Sequence, residues 1–108
     1  MTFDPGLLSA RLTLERPVET GDGQGGVTRT YETVTTLWAR IEPVSAASRE
    51  EAGAERAIVT HRIRLRRRDD ISGGMRFRKG ARVFVIRAAR DPDETGRFTL
   101  CDCTEERP

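Results

Sequence analysis

The chain has 108 residues, room for one hydrophobic core and not a second. Hydrophobic residues make up 36% and charged residues 33%, the balance of a folded but thinly cored domain that gains stability from neighbours. A formal net charge of +2 is too small to mark a dedicated nucleic-acid binder, and no apolar run approaches the ~20 residues of a membrane helix.

The dominant period along the chain is two, which predicts an all-β protein with one short helix. Segment 9–16, SARLTLER, alternates Leu12 and Leu14 against Arg11, Thr13 and Glu15, and Pro17 is expected to end this strand because it cannot donate to a ladder. GDGQGG at 21–26 reads as a long mobile hairpin tip, and 27–42 as a long return strand with a bulge near Thr35–Thr36. After Pro43, Ser48 and Glu51 have capping-box spacing, so a short polar helix is expected from about Arg49 to Arg56. Segment 57–67 alternates cleanly, with Val59, His61, Ile63 and Leu65 on one face and Thr60, Arg62, Arg64 and Arg66 on the other. A turn at 69–74, a short strand from Met75 to Phe77 and a turn at Lys79-Gly80 lead into strand 81–90. Asp91-Pro92-Asp93 and Thr95-Gly96 turn the chain into a last strand, 97–103, and the tail from Thr104 to Pro108 is expected to fray. The sum is a small six-stranded antiparallel β-barrel or sandwich forming a single domain over residues 1–108.

Of the 19 basic residues 18 are arginine and only Lys79 is lysine. Codon usage in a GC-rich genome gives this bias; so does a need for planar guanidinium groups at interfaces or phosphates. Cys101 and Cys103 stand two apart on one strand face, poorly placed for a mutual disulfide, and read as reduced, half-buried residues. With His61 the one histidine, a four-ligand zinc site cannot be built within one subunit, and no cofactor is expected. His61 shares a face with apolar residues and reads as a core or interface side chain. No G-x-S-x-G occurs, and the adjacent pairs Glu50-Glu51 and Asp69-Asp70 alternate faces on a strand instead of forming a dyad. Gly21 to Gly26 lacks the Gly-Lys-Ser/Thr of a phosphate loop. The residues therefore do not describe an enzyme. The Arg62, Arg64, Arg66 row is the strongest charge feature. It is either a solvated strand face, a partner for Glu50, Glu51 or Glu55 of a neighbouring subunit, or a channel lining that meets DNA phosphate without reading sequence. Trp38 is expected in the core or at an interface.

Taken in order, several stretches resemble the phage head–tail joining family, also called head-completion or stopper proteins. They are the strand Leu8-Ser9 to Arg16-Pro17, the tip with Gly25-Gly26, and Leu37-Trp38-Ala39-Arg40-Ile41-Glu42-Pro43-Val44-Ser45. Val59-Thr60-His61-Arg62-Ile63-Arg64, Gly80 to Ile86, and Asp91-Pro92-Asp93 through Cys103 follow. The sequence departs from the common pattern after Ser45, where Ala46-Ala47 stand in place of a glycine. The resemblance implies a small barrel assembled as a ring of six or twelve copies beneath the portal and its adaptor, in a phage or a phage-like gene-transfer particle. Such a ring closes the DNA-filled head and offers a surface to a tail-terminator or tail-tube protein. The particle's head–tail connector would be its place, after synthesis in the bacterial cytoplasm, with no membrane involved. Segment 43–57, including Arg49, and the tip over 20–27, with Asp22, Gly23 and Gln24, are the long polar connections expected to touch neighbouring rings or close the channel. A tail-terminator ring and a small nucleic-acid-binding β-barrel are the alternatives.

Overall fold

The computed structural model describes residues 4–45 and 58–106. Six antiparallel strands follow a 3-10 turn at Pro5–Leu7: β1 (Ala10–Gly21), β2 (Val27–Pro43), β3 (His61–Arg66), β4 (Arg76–Lys79), β5 (Arg82–Arg90) and β6 (Phe98–Glu106). They close into a barrel in the order β1-β2-β3-β6-β5-β4, and pairing of Thr13–Glu15 with Arg76–Arg78 completes the ring. The expected helix at 49–56 lies outside the described residues.

The period-two pattern explains which side chains fill the barrel. Leu12 and Leu14 of β1, Ala39 of β2, Ile63 and Leu65 of β3, Phe77 of β4, Phe84 and Ile86 of β5, and Cys101 and Cys103 of β6 are all buried. Every strand supplies at least one inward residue, so closure and core formation are one event. Two bulges adjust the register. Leu14 faces Thr35 while Glu15 faces Thr33, which leaves Val34 as the extra residue of β2, next to the bulge expected near Thr35–Thr36. Arg87 is the extra residue of β5, between Ile86 opposite Cys103 and Ala88 opposite Asp102. Each bulge lets a strand keep its apolar side chains inward while the wall turns.

Two sequence expectations are corrected, and a third is narrowed. Pro17 does not end β1, which runs on to Gly21. Past Glu15 β1 has β2 as its one neighbour, so a residue with no amide proton costs no ladder bond there. The tail does not fray at Thr104: β6 continues to Glu106, with Thr104, Glu105 and Glu106 opposite Val85, Phe84 and Val83. Side chains hold this end in place. Thr104 Oγ1 donates to the Ile58 carbonyl at 2.7 Å, Glu105 N donates to Thr60 Oγ1 at 2.7 Å, and Arg82 Nε donates to the Glu105 carboxylate at 2.8 Å. Finally, of the core and an interface, the two places expected for Trp38, the core is not its place. Trp38 is 53% exposed on the outer wall, with the Arg11 guanidinium 5.5 Å from its ring centre.

His61 lies where its alternation places it, at the mouth of the barrel. Its ring meets Phe84 edge-on at 5.1 Å, and Nε2 is 3.9 Å from Glu105. Cys101 and Cys103 are free thiols and fully buried, not half-buried as expected. Burial raises both: Cys101 is pushed up to about 12, and Cys103 is pushed up further, so both stay protonated at neutral pH.

Candidate assembly surfaces

β1 and β2 outrun the barrel. β1 has β4 beside it only as far as Glu15, and β2 pairs with β3 only from Ala39 to Pro43. Arg16–Gly21 and Val27–Thr33 therefore leave the wall as a two-stranded arm. Its faces carry matched cross-strand pairs. Arg16 forms an ion pair with Glu32 on one face, and Arg29 donates to Glu19 at 2.7 Å on the other. Directly opposed charges favour this register, but pairs this exposed add little stability.

The arm ends in a five-residue turn tied by one side chain. Asp22 Oδ1 accepts from the amides of Gln24 and Gly26 at 2.7 and 3.0 Å, and the Asp22 amide donates to the Gly26 carbonyl at 3.1 Å. Gly23 and Gly25 take φ near +80°, and a Cβ at position 26 would stand 2.5 Å from the Asp22 carboxylate. The glycines are thus what the turn requires. Val27, beside the tip, is 67% exposed. Asp22, Gly23 and Gln24 sit together at the far end of the arm.

At its root the arm is clamped to β4. Glu15 points out of the barrel yet is only 4% exposed, because Arg76 Nε donates to it at 2.7 Å and Arg78 Nη2 lies 3.3 Å away. The Arg76 guanidinium also lies 3.7 Å from the Tyr31 ring centre. These four side chains fix the direction in which the arm departs. Sequence reading had no way to single out Glu15, since its alternation looks like that of any outward carboxylate.

The arginine row of β3 projects from the outer wall as its alternation predicts, but it is not bare. Arg62 stands opposite Glu42 on β2 and Asp102 on β6, 3.7 Å from the Asp102 carboxylate, which also pairs with Arg90. Arg64 lies over the Phe98 ring at 5.9 Å. Arg66 borders a groove that also takes in Trp38. The three arginines thus have three different settings along one strand. Glu50, Glu51, Glu55 and Arg49 lie outside the described residues. Among the described residues no cluster of His, Cys, Asp and Glu could hold a metal ion, and no helix is long and apolar enough to cross a membrane.

A family model described as phage head completion protein matches residues 3–106. The chain belongs to this family. Protein SF1141 from Shigella flexneri 2a, solved in solution, is 33% identical with a TM-score of 0.75, over 95% of this chain and 96% of that one. A chain of the virion of a native gene transfer agent particle is 29% identical with a TM-score of 0.66, over 91% and 93% of the two chains. No curated protein sequence matches the chain. Family and structural likeness together give a head-completion role at the head–tail connection of a phage-like particle, where the protein is a virion component associated with other head or tail proteins.

Proposed function

We propose that the protein is one subunit of a ring, of six or twelve copies, that sits beneath the portal or its adaptor. It closes the packaged head and gives the tail a surface to dock on. The chain acts as a single domain through its surfaces and catalyses no reaction. The observation that carries this reading is the β1–β2 arm. A closed barrel has no free sheet edges, yet here two of its strands run on past it, and among the described residues nothing pairs with their outer edges. Such a feature suits a part completed by its neighbours. The tip at Asp22, Gly23 and Gln24 and the segment carrying Arg49 contact adjacent rings, and Arg62 and Arg64 of the arginine row meet Glu50, Glu51 or Glu55 of the next subunit.

A role as a standalone nucleic-acid-binding barrel is less well supported. Glu42 and Asp102 flank the arginine row, and Phe77, Phe84 and Phe98 are buried and cannot stack on bases. Electron microscopy of particles made without this protein tests the proposal. Emptied heads beside free tails of normal length are the expected result. Tails of irregular length would move the protein to the tail-terminator ring, and intact tailed particles would end the structural reading.

A further inference from the structure

Where β2 separates from β3 the barrel wall has a gap. The β2–β3 ladder begins with Ala39 opposite Leu65, and among the described residues β2 is bonded only to β1 on the Val27 side of that pair. The backbone groups along this outer edge therefore have no strand beside them among the described residues. Next to its barrel end lies a groove of about 490 Å³. Leu8, Leu37, Trp38 and Leu65 make it apolar, and Arg66 to Arg68 form its rim. A free strand edge, an exposed indole and a basic rim thus meet in one place.

The charges of the rim decide what fits. Arg67 Nε donates to Asp69 at 3.0 Å, and Arg68 holds both oxygens of Asp70 at 2.9 and 2.7 Å. The Arg68 hydrogen bonds hold the Asp70 carboxyl below its ordinary range, so it remains an anion. Arg66 and Arg11 form no ion pair among the described residues. Two arginines are thus open to a carboxylate, while Arg67 and Arg68 are already offset by Asp69 and Asp70. A peptide, unlike a nucleic acid, also has amides and carbonyls that can extend the β2 ladder.

We propose that this gap is a docking site for an extended acidic segment of a neighbouring particle protein. The segment adds as a strand along the β2 edge near Val34–Trp38. It seats an apolar side chain against Trp38 and Leu37, and its carboxylates pair with Arg66 and Arg11. This deepens the head-completion reading and rests on it for the identity of the neighbour.

Selection of a random dodecapeptide library on the full-length protein tests the site without any particle. The expected winners combine an apolar or aromatic residue with at least two acidic ones. They shift the emission of Trp38, the one tryptophan of the chain, to the blue and slow amide exchange across residues 33–38. Trp38→Ala and Arg66→Glu, both at exposed positions, keep the fold and weaken binding of a labelled winner at least tenfold. Absence of acidic winners, unchanged binding by both variants, or unchanged amide exchange would overturn the site. Displacement of the peptide by a twenty-nucleotide oligothymidylate would replace the peptide with DNA as occupant, and burial of Trp38 by self-association would replace it with a second copy. Particles carrying Trp38→Ala separate the two levels of the argument. Normal joining with lost peptide binding removes this docking site and leaves the head-completion role standing.

Discussion

The same two strands are built on two different principles along their length. From Ala10 to Leu14 and from Thr35 to Pro43, β1 and β2 are staves of a closed barrel, held by apolar side chains with no water access. Beyond the Val34 bulge they form a ribbon with an almost wholly exposed surface and cross-strand ion pairs in place of a core. The barrel can hold its shape alone, since each strand buries residues against the others. The arm has no such support, and a two-stranded ribbon is marginal in water unless something packs on it. The division assigns stability to the barrel end of the strands, and the exposed pairs of the arm add little to it. The bulge and the Glu15 clamp mark the border.

The largest way to break this division is in the barrel. Phe77→Ala removes a fully buried ring at the β4 closure and is expected to cost roughly 3–5 kcal/mol, read as a drop in thermal midpoint and in the denaturant midpoint. An unchanged midpoint would mean that the short β4 does not close the wall. A smaller effect is expected at the border. Glu15→Gln leaves Arg76 and Arg78 without their buried counter-charge, and should cost about 2–3 kcal/mol in chemical denaturation. The loss should vanish if Arg76 and Arg78 are replaced as well, because the variants share one network. The smallest stability effect belongs to the arm. Glu19→Ala with Arg29→Ala should leave the melting temperature within about 3 °C, as expected of exposed pairs, yet lower the yield of joined particles in a complementation assay. Full joining by this double variant would mean that the arm's charge ladder has no part in assembly.

Much of the barrel was legible in the sequence, because alternation is a local signal. Leu12 and Leu14, and Ile63 and Leu65, gave their strands and faces directly. The misses share a cause, which is that neighbours decide what a local rule costs. Pro17 looked like a strand end because ladder position is invisible in sequence; with no second neighbour beside it, proline does no harm. Thr104 to Glu106 looked like a polar tail, yet Ile58 and Arg82 meet the Thr104 and Glu105 side chains on the folded barrel, and Thr60 accepts from the Glu105 amide. For Trp38 size alone left the core and an interface both open, and its strand parity decides against the core by turning it outward, opposite Arg11. The surfaces were legible as composition and not as arrangement. The arginine row was visible, whereas the carboxylates of Glu42 and Asp102 that flank it come from distant strands.

The two thiols in the barrel have a consequence for the life history of the particle. A virion part is made in reducing surroundings and later meets dissolved oxygen. Oxidation proceeds through the thiolate, and burial that keeps Cys101 and Cys103 protonated and dry withholds that species. Among the described residues the barrel therefore carries no exposed sulfur to age. A connector built from it should be chemically the same object on the day of assembly and after long storage outside the cell.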